Sequence, residues 1–134
     1  MPACLSTLLR VSLVDIHQVV RGTEPSAYVV YVELSRRANR DLRGIKSVLD
    51  RGRIRGALGD LAREPQPGNL DVRSLRGHAP WRRLRVGDYR LLFRSMTVSE
   101  LHGAWAQGIA AERGMLVVRI VPRRDFERVV SRLR

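Results

Sequence analysis

A chain of 134 residues makes one domain, because polypeptides divide into separate domains only well beyond this size, so two independent domains are excluded. With 44% apolar and 28% charged residues it has the composition of a folded protein and not of a disordered one. The 25 Lys plus Arg against 13 Asp plus Glu leave a net charge of +12, which calls for an acidic partner: nucleic acid, an anionic membrane surface or an acidic protein.

The cations are 24 Arg and one Lys, Lys46. Codon bias accounts for that ratio but not for where the charges sit. Residues 1–27 are neutral, Arg10 and Arg21 balancing Asp15 and Glu24. Arg73 to Arg94 carry seven Arg against Asp88, and Arg119 to Arg134 carry six against Asp125 and Glu127, so these two stretches hold ten of the twelve net charges. A single cysteine, Cys4, allows no internal disulfide and points to an intracellular protein. Met1 to Val20 makes a poor signal peptide, since no basic start precedes its apolar residues and Arg10 and Asp15 interrupt them. The apolar run Tyr28 to Val32 is far too short to span a bilayer.

In chain order, residues 1–26 fit neither the helical nor the strand period and end in the linker-like Arg21 to Ser26. They read as an N-terminal appendage to a domain spanning 27–134. Tyr28 to Leu34, β-branched and aromatic, reads as a strand, and Ser35 after it can cap a helix. Ser35 to Gly44 gives a short basic helix with Ala38 and Leu42 inward. Val48 to Arg63 gives a second, with Ile54, Ala57, Leu58, Leu61 and Ala62 on one face, ended by Pro65 and Pro67-Gly68.

From Leu70 the period changes to two. A strand over Asp71 to Leu75 is followed by a hairpin of Trp81 to Val86 and Tyr89 to Ser95, joined by Gly87-Asp88, a pair suited to a type II′ turn. Alternation puts Leu84, Val86, Tyr89, Leu91 and Phe93 on one face and Arg83, Arg85, Arg90 and Arg94 on the other. One sheet face is then core and the other a guanidinium cluster. Met96 to Gly114 is a polar, helix-prone excursion containing Trp105, an enlarged loop of the next hairpin. Met115 to Val121 returns as a strand, and Arg123 to Leu133 closes the chain as a helix with Phe126, Val129, Val130 and Leu133 inward. The order defines an α+β domain, an N-terminal strand and two helices packed on an antiparallel sheet with a short C-terminal helix.

One Cys and three separated histidines, at 17, 78 and 102, form no metal motif; no GxGxxG or Gly-Lys-Ser/Thr loop and no frame for a hydrolase triad is present. No cofactor or metal is expected. What remains is the Arg face. Charge runs are usually no more than a solvated surface, but four guanidinium groups on one small hairpin repel one another and call for an anion.

Ser74-Leu75-Arg76-Gly77, the run Trp81-Arg82-Arg83-Leu84-Arg85-Val86-Gly87-Asp88-Tyr89-Arg90-Leu91-Leu92-Phe93-Arg94, and Val117 to Asp125 resemble the RelE/ParE toxin superfamily. The likeness runs over 27–134, with residues 1–26 and the 96–114 excursion outside the minimal pattern. It implies a RelE-like fold and the toxin of a type II toxin–antitoxin system, neutralised by a cognate antitoxin. The activity implied is that of a cytoplasmic, ribosome-dependent mRNA endonuclease that inhibits translation without a metal, leaving 2′,3′-cyclic phosphate and 5′-OH ends. Carried over by position, the site combines Arg83 and Arg85 before the turn, Arg90 after it and Arg123 after the last strand. Arg37, Arg40, Arg76, Trp81, Arg94 and Arg124 are expected as further RNA contacts.

Arginine, with a reference pKa above about 12, suits charge neutralisation and is a poor general base. Arg90 and Arg123 are therefore expected as phosphate clamps and Arg83 as an aid to the leaving group. Where many ribosome-dependent relatives carry acid–base residues around the late Arg, this chain has Pro122 and Glu127, which leaves Glu127 and His78 as candidate bases. Trp81 either stacks on a base or packs beneath the hairpin, and Tyr89 belongs to the core. The same departure fits two alternatives, a ParE-like inhibitor of DNA gyrase acting by protein contact and a catalytically inactive module that binds RNA or an antitoxin. The density of Arg favours RNA phosphate.

Overall fold

A computed structural model describes residues 30–63 and 68–133. The expected appendage at 1–26, the strand start at Tyr28 and Val29, and the helix-ending Pro65 and Pro67 lie outside the described residues. Among the described residues nine elements follow in order: β1 (Val30–Leu34), α1 (Arg36–Arg43), α2 (Val48–Leu61), β2 (Asp71–Ser74), β3 (Arg82–Val86), β4 (Tyr89–Ser95), α3 (Val98–Ala106), β5 (Arg113–Pro122) and α4 (Arg123–Val130). Four helices thus accompany a five-stranded sheet of order β1-β5-β4-β3-β2, an α+β architecture. The sheet is antiparallel from β2 to β5, while β1 joins its edge in parallel, Val30 opposite Arg113 and Leu34 opposite Val117. That makes the sheet mixed, a point that alternation alone does not reveal, because side-chain period is the same in both kinds of pairing.

The local chemistry explains each boundary. Ser35 Oγ accepts from the Ala38 amide and donates to the Val118 carbonyl, so one hydroxyl caps α1 and fastens it to β5. Asp41 strengthens that attachment. Its carboxylate accepts from Arg119 Nε at 2.8 Å and from the Ile120 amide at 2.9 Å, beside the irregularity that interrupts the β4–β5 ladder at Leu92/Phe93. Ser47 caps α2 by accepting from Asp50 N. At the β3–β4 turn Gly87 has φ +56°, and among the described residues no non-glycine residue, Asp88 included, has a positive φ, the sign pattern of a II′ turn.

Two apolar cores result, one on each face of the sheet. The larger holds Ala38 and Leu42 of α1, Ile54, Leu58 and Leu61 of α2, and Val32, Leu84, Leu91, Phe93, Val117 and Ile120 from the strands. The smaller gathers Leu92, Val121, Phe126 and Val129, with Leu75, Trp81, Val118, Val130 and Leu133 packed against it. This corrects the expectation that the second face is a guanidinium cluster alone. The α4 helix lies over part of that face because its Phe126 and Val129, three residues apart, must be buried against something, and Leu92 and Val121 supply the surface.

The excursion after β4 is built on α3, whose Thr97 and Glu100 form a capping box. Ala104, Ile109 and Ala111 return its apolar side to the larger core. Gly114 closes its base, with the Met96 amide donating to the Gly114 carbonyl at 2.8 Å. Among the described residues no helix is long and apolar enough to cross a membrane.

Candidate functional site

The basic part of the second face lies at the turn end of the hairpin. Register decides what meets there. Asp71 of β2 stands opposite Arg85 of β3, which stands opposite Arg90 of β4; Arg73 stands opposite Arg83; Arg90 is also paired with Val121 of β5. Residues paired across strands share a face, so Asp71, Arg73, Arg83, Arg85 and Arg90 point the same way. The chain leaves β5 at Pro122, opposite Tyr89, and the Arg123 amide donates to the Asp88 carbonyl at 2.7 Å, which brings the start of α4 to the turn.

Arg90 is the centre of this group. It is the one buried polar or charged residue among those described, only 8% exposed. Its Nη1 donates to the carbonyls of Gly87 and Tyr89 at 3.0 and 3.1 Å, so its own turn holds the guanidinium in place. Burial lowers its proton affinity below the ordinary arginine value, and the positive charges of Arg85, Arg83 and Arg123 lower it further, while Asp71 opposes them. The four residues expected from the sequence as catalytic arginines are therefore electrostatic neighbours. They form a site that is short of negative charge.

The partial remedy is Asp71, which the sequence reading did not single out. Its carboxylate lies 3.1 Å from Arg83, 3.8 Å from Arg73 and 3.9 Å from Arg85. One carboxylate thus serves three guanidinium groups, with Arg90 and Arg123 beside them. The only sequence signal for it was the β2–β3 register. That register depends on the intervening loop, where Leu75 N donates to the Trp81 carbonyl, His78 N to Leu75 and Trp81 N to His78.

The same loop makes one wall of a cleft of about 380 Å³ lined by Leu75, Arg76, His78, Phe126, Glu127, Val130 and Ser131. His78 and Glu127, the two candidate bases, thus line one cavity together with Arg76. Glu127 follows Arg123 by four residues on α4, which places them as neighbours on one side of the helix. Arg124 is exposed on that helix. A larger cleft, about 490 Å³, lies at Trp105 and Gly108 to Glu112 and contains none of the expected site residues.

Other expected contacts fall elsewhere. Arg94 shares the face of Arg90 but lies four residues further along β4, roughly 13 Å away. It makes a two-pronged ion pair with Glu100 at 2.8 and 2.9 Å and stacks over Trp81 at 5.5 Å, so its charge is already matched within the fold. Trp81 packs against the smaller core, the second of its two expected roles. Arg37 and Arg40 are exposed on α1, in the helical layer on the opposite face of the sheet from Arg90. Tyr89 packs against the larger core. Among the described residues no three His, Cys, Asp or Glu side chains converge in a way that could hold a metal.

A five-stranded sheet with an N-terminal helical pair on one face and a C-terminal helix beside a basic hairpin on the other defines a RelE-like fold. A chain of the RelB–RelE antitoxin–toxin complex of Methanococcus jannaschii superposes with a TM-score of 0.52 at 15% identity, covering 72% of this chain and 96% of that one. For the RelE–RelB complex of Pyrococcus horikoshii OT3 the values are 0.49, 21%, 72% and 94%. No curated protein sequence matches. The profile of the family described as "ParE toxin of type II toxin-antitoxin system, parDE" matches residues 32–125, and the chain belongs to this family, within the RelE/ParE superfamily.

Proposed function

We propose that this type II toxin cleaves mRNA on the ribosome, without a metal, and is held in check by a cognate antitoxin. The observation that carries the reading is the gathering of Arg83, Arg85 and Arg123 about the buried Arg90, with Asp71 the carboxylate among them and Glu127 one helical turn from Arg123. A surface of this kind suits a phosphodiester better than a protein epitope, because a preorganised guanidinium cluster gains most where negative charge accumulates on one atom group.

In the proposed reaction a ribose 2′-OH attacks the adjacent phosphorus. The P–O5′ bond breaks, and a 2′,3′-cyclic phosphate and a 5′-OH are left. Arg90, fixed by two backbone carbonyls, and Arg123 neutralise the crowded phosphorane. Arg83 stabilises the departing 5′ oxygen, which takes up a proton from water to become the 5′-OH. Proton removal is assigned to Glu127, one helical turn from Arg123, or to His78 in the same cleft. The cytoplasm, where ribosomes work, is the proposed site of action. A chain of net charge +12 suits both RNA and an acidic antitoxin.

A second reading, implied by the resemblance to ParE-like toxins, is inhibition of DNA gyrase through protein contact with the same Arg surface; the matching profile is described as that of a ParE toxin. Induction without the antitoxin separates the two. Mapping mRNA 5′ ends by primer extension should show cuts phased with codons, while plasmid supercoiling stays normal. Intact mRNA with relaxed or cleaved plasmid would refute the nuclease reading and establish the other.

A further inference from the structure

We propose that Asp71 is a positioning residue that acts as an internal stand-in for phosphate, holding the arginine cluster in place and competing with the substrate for it. The inference deepens the RNA reading above and rests on it. Its basis is geometric. Among the described residues Asp71 is the carboxylate within ion-pair distance of the cluster, and it is shared by Arg83 at 3.1 Å, Arg73 at 3.8 Å and Arg85 at 3.9 Å.

The three contacts are unequal in a way that suits exchange. The Arg83 side chain is 16% exposed and makes a true hydrogen bond to Asp71 Oδ1, whereas Arg73 and Arg85 are 76% and 55% exposed and lie at ion-pair range only. Asp71 itself is 37% exposed, so an incoming anion can reach the point that its carboxylate occupies. Carboxylate and phosphate present the same kind of acceptor oxygens to a guanidinium fork. A backbone phosphate that reaches Arg83 must therefore displace the carboxylate or share the arginine with it.

Two consequences follow for the proposed site. With no substrate present, Asp71 limits the mutual repulsion of the cluster and keeps Arg83 near Arg90. With substrate present, it weakens binding to any polyanion, and most of all to one that offers charge without the right geometry.

The test uses the full chain and a short fluorescein-labelled single-stranded DNA, which lacks the 2′-OH and cannot be cut by the proposed route. Affinity is measured by anisotropy from about 50 to about 200 mM salt. Asp71→Asn should bind more tightly at the low-salt end. Its log Kd against log salt should steepen by about 0.7 for each guanidinium released to a phosphate, which is roughly a 2.6-fold larger loss of affinity over that range. Asp71→Glu, which keeps the charge, should stay close to the wild type.

An Asp71→Asn chain that is folded but binds with an unchanged or shallower slope overturns the inference. Should Asp71→Asn fail to fold, the wild-type chain still decides. The Arg83 guanidinium NMR signals should shift when the DNA saturates the protein, and signals that stay in place with DNA bound overturn the proposal. Binding by neither chain refutes the RNA reading itself, and the inference with it.

Discussion

The ion pair between Glu100 and Arg94 makes the stability of this toxin depend on pH in a predictable direction. Glu100 Oε1 and Oε2 accept from Arg94 at 2.8 and 2.9 Å, and Oε1 also accepts from the Thr97 amide at 2.8 Å. The hydrogen bonds from Arg94 are the larger cause, and together these contacts hold the carboxyl down to about 2 from its ordinary 4.5. Such a shift corresponds at most to about 3.4 kcal/mol. The Glu100 side chain is 32% exposed, and solvent screening brings the expected contribution to roughly 1–2 kcal/mol. A carboxyl depressed by folding stabilises the native state fully above its unfolded value, and that stabilisation is lost as pH falls toward the folded value. Urea unfolding of the wild type and Glu100→Gln should therefore differ by roughly 1–2 kcal/mol at about pH 7, and the gap should shrink to roughly a quarter of that by about pH 2.5. Glutamine keeps an acceptor for the Thr97 amide, so the change reports the charge pair and not the loss of the helix cap. About 1 M salt should shrink the gap at neutral pH. A gap of the same size at both pH values would refute the assignment.

Arg90→Met should abolish toxicity on induction while the far-UV circular dichroism stays native. Its stability cost should stay within about 1–2 kcal/mol, because the loss of two hydrogen bonds from a charged donor is opposed by relief of burial and of repulsion from Arg85, Arg83 and Arg123; full toxicity in that variant means the site is elsewhere. Gly114→Ala should destabilise by about 1–3 kcal/mol, since the new methyl would overlap Met96 Sδ and lie 3.3 Å from Leu101 Cδ2. Adding Met96→Ala should return part of that loss in thermal unfolding, and simple additivity of the two changes would show that the overlap is not the cause.

What could be read from the sequence was whatever depends on period and on local caps. The inward sets of α1, α2 and α4, the Gly87-Asp88 turn and the division of the hairpin into an apolar and a basic face all follow from alternation within one segment. What could not be read depends on how segments meet. The parallel pairing of β1 with β5 joins residues some eighty positions apart and leaves no trace in either strand. Arg94 looked like its neighbours because alternation reports direction and not partners, although Thr97 and Glu100 carried a legible capping box that put a carboxylate close to it. Asp71 was missed for the same reason.

The second face explains why so much charge can gather at one place in a chain this small. If the whole face were basic, α4 would have nothing to pack on, and the arginines would lack a rigid support. Instead Leu92 lies two residues from Arg90 on the same face of β4 and Val121 stands opposite Arg90 on β5, so neighbouring positions supply both the floor for Phe126 and the anchor of the cluster. The helix that buries this floor begins at Arg123, and its docking therefore delivers that guanidinium to Arg90. Packing of the smaller core and assembly of the charged site are one event, and a core substitution such as Phe126→Ala should impair the site even though Phe126 carries no charge.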